Sequence, residues 1–600
     1  MKCYKEPNIR RHSDLVRHRK RGGSSRWDRI RFSGFIFACA LLSQSASAQA
    51  PSASAPTSAI RGIVINSVTR EPVGRALVVS ADNSVATLTD SDGHFEIALP
   101  HAVQEENAGP PPQVTTSVTF GEFRSSTNVL FARKPGFLGP EREGGSTSAV
   151  RFLPGKELLI ELVPEARIVG QVALPSGSSR LSIGLYKRQV LQGRAYWNLQ
   201  GDVRARSSGE FRFFDLEPGT YKVFTRELDD RDPLTTSPDG PQYGYPPMYF
   251  PNATDFPSAG TIQLSPGITF RADLSPVRRR YYHVSIPVAN APTANLFGAL
   301  EISVDPQGKR GPGFALGYNR RAQKIEGALP DGVYLVKART QGESLASGEA
   351  VIAVKGGPAE GQPLTLLPAA TVRFNARLEL RSKVEASPSP SWGSGMEEGL
   401  IARAENFSVS LQPVDDFATA DMVPRSVSQQ KDTITFQGVP PGTYWVRLES
   451  PRGFVAAASL GDLDLLQHPL KVGPGANLAV EVSIRDGGAE ISGVIEEGDG
   501  RPITDTSPIA AVNSAYLYCV PLPDSTGQFR QATAQSDGSF RLQELAPGDY
   551  RVLAFDRPQL GKLEYHNPEA MKAYDSNGQV IHLTAGQKQE IRVRVIASKP

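Results

Sequence analysis

Cysteine is nearly missing from this chain: 600 residues hold three, Cys3, Cys39 and Cys519. A framework of disulfides is excluded, so apolar cores must hold the folded part together. Histidine is scarce as well, eight in all, and no His-x-His or His-Glu-x-x-His pair occurs, which removes the usual zinc patterns. No Gly-x-Ser-x-Gly elbow, P-loop or dinucleotide fingerprint is present, so hydrolase, nucleotide-dependent and dehydrogenase chemistries have no motif to rest on. An excess of one charge is lacking too, with 65 basic residues against 62 acidic and a formal net charge of +3. Much of that excess sits between Arg10 and Arg31. The remainder has no basic surface of the kind nucleic acid requires.

What the chain does have is turns and alternation. It carries 56 glycines and 48 prolines, and runs of alternating Val, Ile, Leu, Phe and Tyr dominate between them. Such runs bury one face of a strand, and the reading is all-β. A single core stops growing at about 250–300 residues, so several domains are required. At the start, a basic stretch is followed by the apolar run Phe32–Leu42 and then by Ala46-Ser47-Ala48. That order predicts a secretory signal peptide cut after Ala48, with an apolar part too short to span a bilayer. Cys3 and Cys39 leave with it, and Cys519 remains alone in the strand-like run Tyr516–Val520.

One unit recurs. Ser208-Gly209-Glu210-Phe211 leads through Leu216-Glu217-Pro218-Gly219-Thr220-Tyr221, and Asp537-Gly538-Ser539-Phe540 leads through Leu545-Ala546-Pro547-Gly548-Asp549-Tyr550 with the same spacing. Val439-Pro440-Pro441-Gly442-Thr443-Tyr444 keeps the second half, and Leu329-Pro330-Asp331-Gly332-Val333-Tyr334 is a degenerate copy. The Gly after Asp or Ser supplies the positive φ of a hairpin, Phe-x-Phe buries alternate residues, and Pro-Gly turns the chain into a new strand led by tyrosine. Near the N-terminus, Gly62-Ile63-Val64, Pro72 to Ala76-Leu77-Val78, and Thr89-Asp90-Ser91-Asp92-Gly93-His94-Phe95 form strand, turn-strand and hairpin in order.

These three elements resemble the carboxypeptidase regulatory-like domain, and the opening Gly493-Val494-Ile495 repeats the start of it. The resemblance implies a transthyretin-like sandwich of about seven strands, grouped with carbohydrate-binding-like folds. The predicted organisation is a signal peptide (1–48), a linker (49–58) and about five prealbumin- or immunoglobulin-like antiparallel sandwiches at 59–165, 166–278, 279–368, 369–486 and 487–600. Short junctions predict a semi-rigid rod.

Candidate chemistry is thin. His566-Asn567-Pro568-Glu569 matches a His-x-x-Glu zinc pair, but too little chain follows for a third ligand. Asp90-Ser91-Asp92-Gly93 resembles the start of a calcium loop without its closing glutamate, and reads more simply as a hairpin turn. No cofactor or metal is expected, and no enzyme activity. For binding, Tyr243, Tyr245, Tyr249 and Phe250 form an aromatic segment with loop character. Rings on a loop can stack on sugars or on proline-rich peptide. The alternative is that this loop packs back on its own domain, and Tyr565 and Tyr574 in the last unit point to a recurrent structural element of that kind. Trp197 and Trp445 lie in strand patterns and are expected in the core. The expected role is a periplasmic, cell-surface or extracellular scaffold or binding module. By resemblance its ligand is carbohydrate or an envelope polysaccharide. An accessory subunit docking on an envelope protein is the alternative, and a hydrolase accessory the remote one.

Overall fold

A computed structural model describes residues 59–98, 129–139, 149–151, 157–173, 181–227, 242–291, 300–307, 311, 313–340, 346–380, 401–404, 407–414, 425–430, 432–451, 453–497, 515–523, 525–535, 537–559 and 561–597. The expected signal peptide 1–48 and linker 49–58 lie outside the described residues, as do the Pro- and Gly-rich stretches 104–113 and 386–399. All that is described belongs to one compact unit, Thr57–Pro600.

Small, mostly antiparallel sheets face one another across apolar cores, so the fold is a tandem series of β-sandwiches. Five principal cores follow one another along the chain. They are built around Val64, Phe95 and Ile160; Ile168, Phe211 and Tyr221; Ile286, Ile325 and Val336; Phe374, Phe407 and Phe436; and Ile491, Leu517 and Tyr550. The strands alternate as their sequences require: in Leu158–Leu162 every second residue is buried.

Each sandwich is closed by its own ends. The opening strand pairs in parallel with the closing one: Ala59–Asn66 with Leu158–Leu162, and Ala166–Gln171 with Thr269–Arg271. Arg279–Ala289 pairs so with Leu364–Thr365, Ala370–Glu379 with Asn477–Arg485, and Ala489–Glu496 with Lys588–Ile596. Two strands running the same way bring the chain in at one end of a sandwich and out at the other, which is why the junctions can be short.

The two halves of the sequence signature meet across a ladder. Gly62 faces Phe95, Gly170 faces Phe211 and Gly493 faces Phe540. A Cβ on Gly62 or Gly170 would lie 2.6 Å from the facing phenyl ring. The opening glycine is therefore the space into which the hairpin phenylalanine packs, and the two residue types recur as a pair for that reason.

The Pro-Gly-x-Tyr element is a tyrosine corner. The hydroxyl of Tyr221 donates to the carbonyl of Glu217 at 2.7 Å, Tyr334 to Pro330 at 2.9 Å, Tyr444 to Pro440 at 2.8 Å and Tyr550 to Ala546 at 2.6 Å. The strand before each corner arrives by a bulge in three cases, where Asp215, Gly438 and Glu544 take φ of 56°, 73° and 54°. A left-handed residue at this place re-aims the chain into the corner. Replacing Tyr550 by Phe removes two hydrogen bonds, leaving the Ala546 carbonyl without its donor and the Gln528 N–H without its acceptor. The expected loss is about 1–3 kcal/mol, read as a lowered midpoint in urea with an unchanged slope.

Candidate functional site

The aromatic segment singled out in the sequence does not present its rings to solvent as a group. Tyr245 is 3 % exposed and Tyr249 2 %. Tyr245 lies in the second core, while Tyr249 stacks on Phe224 with centroids 5.7 Å apart and meets Phe256 edge-on. Phe250 is half-buried against Phe270. Tyr243, 51 % exposed, belongs to a short strand, Gln242–Gly244, that adds to the sheet of the third sandwich opposite Arg280. The Arg278 guanidinium sits 4.8 Å from its ring.

The segment also reaches across to its neighbour. A Cβ on Gly311 would fall 2.2 Å from the Tyr249 hydroxyl, and one on Gly313 2.3 Å from Pro247. Two glycines of the third sandwich thus make room for this loop. As a stacking platform the segment is corrected: burial has used the faces of Tyr245 and Tyr249, and the loop joins the second sandwich to the third. Tyr565 and Tyr574 serve the fifth sandwich in the same manner, with Tyr518, Phe529 and Phe555 in one aromatic layer over the outside of a sheet.

The residues that sequence reasoning missed lie in a hairpin of the second sandwich. Opposite the corner tyrosines Tyr334, Tyr444 and Tyr550 stand Pro306, Pro413 and Pro521, and each of these three strands ends at its proline. Proline fixes φ and has no N–H to continue a ladder. Opposite Tyr221 stands Lys187, and here the strand Leu181–Leu191 runs on and pairs with Arg194–Arg204. Gln192 and Gly193, with φ of 50° and 76°, turn it in two residues. Lys187 forms a buried ion pair with Glu217, at a place where the other corners have Ala546, Pro440 and Pro330.

This longer hairpin ends between the fourth and fifth sandwiches. On one side the Gln192 amide and Ser410 hydroxyl exchange hydrogen bonds at 3.1 Å, and Gln412 donates to the Leu191 carbonyl at 3.3 Å. Arg194 lies 3.8 Å over the Trp445 ring, so Trp445 is a joint residue rather than the core residue its strand pattern suggested. On the other side Arg188 forks onto Glu564, and the Gly193 carbonyl accepts from the His566 N–H at 3.1 Å. A Cβ on Gly193 would meet the Tyr565 ring at 2.6 Å. Tyr565 itself stacks on Phe529 at 4.1 Å and accepts a hydrogen bond from Arg447. Burial works to raise the Glu564 pKa, but bonds from Arg188 and Asn567 outweigh it, so the carboxyl stays below its ordinary value.

The fifth sandwich reaches the first as well: Arg557 donates to Glu161 at 2.8 Å, and Arg70 holds the same carboxylate. A rod in which each sandwich touches only its sequence neighbours is therefore not what forms. The expectation came from junction length alone, and it could not include a strand that outgrows its own sandwich.

The weaker motifs resolve locally. Asp90 accepts from the N–H groups of Asp92 and His94 in a hairpin turn. Asn567 caps the short helix Pro568–Met571 and Glu569 pairs with Lys572. Among the described residues no group of three His, Cys, Asp or Glu is placed to hold a metal ion. Cys519 is buried, which pushes its thiol pKa up. No helix among the described residues is long and apolar enough to cross a membrane.

The second sandwich also carries a cleft. It lies between the edge strands Arg194–Arg204 and Glu210–Leu216, has a volume of about 270 Å³ and is lined by Lys187, Gln200, Asp202, Arg212, Phe214, Asp215 and Glu217, among others.

No family model matches the chain, and no curated protein does. Among solved structures it is similar to the TIE protein of Bacillus anthracis, at 10% identity over 73% of this chain and 75% of that one, with a TM-score of 0.15. A streptococcal ancillary pilin aligns at 12% identity over 53% and 99%, with a TM-score of 0.15. The major pilin subunit BcpA of Bacillus cereus aligns at 9% over 72% and 98%, with a TM-score of 0.10. At these scores the likeness carries no argument about function.

Two outcomes follow from the joint. Arg188→Ala removes a forked partner from a mostly buried carboxylate, with an expected cost of roughly 2–3 kcal/mol, below the figure for a fully buried pair. Combined with Gly193→Val it is expected to raise amide exchange at 563–567 and 445–449 while the corner tyrosines keep their protection. His566 is held below its ordinary pKa, toward about 3, by burial and then by Arg194 and Arg447. His566 as a residue is exposed, so solvent screens those charges and weakens the shift without reversing it. The unfolded chain takes up that proton first, and stability is lost as pH falls below about 6.5. His566→Gln is expected to flatten this part of the stability-against-pH curve.

Proposed function

We propose that the chain is an exported, non-catalytic scaffold of the cell envelope that holds several β-sandwiches in a fixed arrangement and binds a polysaccharide. The observation that carries the scaffold reading is the hairpin 181–204, seated by side-chain and backbone bonds on the fourth and fifth sandwiches. Side chains that could otherwise serve chemistry are spent on these joints: Arg188, Glu564, Arg447 and Tyr565 bind one another across sandwiches. Export rests on the basic, apolar and small-residue order of the first 48 residues. The polysaccharide ligand rests on the resemblance of the first and last sandwiches to the carboxypeptidase regulatory-like domain, an inference from fold kinship.

The test uses the mature chain, immobilised and challenged with insoluble envelope and wall polysaccharides and, separately, with solubilised envelope proteins. Saturable retention on a polysaccharide, with no substrate turned over, is expected. Retention of one envelope protein with no polysaccharide signal would replace this reading by a docking subunit, and turnover of a polymer would refute the non-catalytic part.

A further inference from the structure

The cleft in the second sandwich has no counterpart in the chemistry of the other corners. Its floor is Tyr221 with the Lys187–Glu217 pair, the very positions where the later sandwiches carry proline, or proline and alanine. Its rim carries Phe214. In the bulge before the corner the fourth and fifth sandwiches place exposed glutamines, Gln437 and Gln543, at this position. The second places a phenyl ring there, 67 % exposed. Among the described residues no other large apolar side chain is as exposed, and this one lies on the lining of a polar cleft, where its ring can serve as a stacking face.

The lining supplies both kinds of hydrogen-bonding group. Asp202, Asp215 and Glu217 accept, Arg212 and Lys187 donate, and Gln200 does both. Asp202 already accepts from Ser182, yet an ionised carboxylate has acceptor sites beyond one bond. Hydroxyl groups, which donate and accept at once, are what such a mixed ring recognises. The volume, about 270 Å³, equals that of roughly nine waters at about 30 Å³ each, enough for one six-membered sugar ring. Three carboxylates against two cations disfavour an anionic ring.

A peptide strand is the competing occupant, because both walls are sheet edges. Both edges are bulged, however: the ladder shifts at Leu199/Gly201 on one and between Phe213 and Leu216 on the other. Asp215 with φ of 56° breaks the extended run that strand addition needs.

We infer that this cleft binds one neutral or N-acetylated pyranose unit of a polysaccharide, with Phe214 as the stacking face and Asp202, Asp215 and Arg212 as the hydroxyl-reading groups. The inference rests on the polysaccharide part of the proposed function and adds its location and the charge class of the sugar.

Calorimetric titration of the mature chain with cellohexaose, mannohexaose, chitohexaose and tetragalacturonate tests it. At least one of the neutral or N-acetylated oligomers is expected to bind saturably, and tetragalacturonate at least tenfold more weakly. Phe214→Ala is expected to weaken the binding at least tenfold, Phe214→Trp to keep it within about threefold, and Gln543→Ala in the fifth sandwich to leave it unchanged. Phe214 is exposed, so an unchanged thermal midpoint separates lost binding from lost fold. Binding that survives Phe214→Ala, or is strongest for tetragalacturonate, overturns the site while the polysaccharide reading stands. No binding to any of the four overturns the site too. Retention of wall polysaccharide by the immobilised chain then decides whether the wider reading falls with it. A lysine-rich peptide that binds and is lost with Phe214→Ala would give the cleft to peptide and overturn the sugar.

Discussion

In four of the sandwiches a tyrosine hydroxyl turns back to the carbonyl four residues before it, and the residue facing that tyrosine decides how far the neighbouring strand may run. Where it is Pro306, Pro413 or Pro521 the strand stops, for want of an N–H and a free φ. Where it is Lys187 the ladder continues to Leu191, and the extra turn of hairpin has nowhere to pack except on other sandwiches. The cost of that choice is a buried ammonium, and Glu217 is the group that makes it tolerable. Such a pair contributes little net stability, but neither partner could be buried alone. The joint to the fourth and fifth sandwiches and the polar floor of the cleft both descend from this one position.

The outer sheet faces follow a second constraint. A sheet that packs one face on its core leaves apolar residues on the other, and these must be covered or become sticky. In the second sandwich the loop bearing Tyr249 and Phe256 covers Tyr186 and Phe224; in the fifth, Leu563, Tyr565 and Tyr574 cover Tyr518 and Phe555. Both roofs then serve as contact surfaces, the first against Gly311 and Gly313 and the second against Gly193. An aromatic loop that looks like a ligand platform in one dimension is, in three, the cover that allows two sandwiches to touch.

How much of this was legible follows from the range of each interaction. The Gly-x-Phe hairpin, the opening glycine and the Pro-Gly-x-Tyr turn are local or pair within one sandwich, and their spacing is visible along the chain. The sandwich class could be read from them. Along the string the aromatic segment reads either as a platform or as a loop packed on its own domain, and what is not legible is the partners: Phe224, Phe256 and Gly311, which surround Tyr249, are set apart in sequence. Phe214 was passed over for a different reason: alternation with Phe211 and Phe213 turns it outward, but nothing along the strand says that the outward ring lines a cleft shared with Gln200 and Asp202 of another strand.

Sequence by itself determined that the chain is built of repeated sandwiches without a disulfide framework, since alternation, turn residues and a count of three cysteines are properties of the string. The tertiary structure decided how those sandwiches meet. Arg188 finds Glu564 and Arg557 finds Glu161 across hundreds of residues, and no pattern in the string announces either pair. The physical reason is that a corner or a hairpin is fixed by neighbours a few bonds away. A joint is fixed by which surface a strand reaches after it has outgrown its own core.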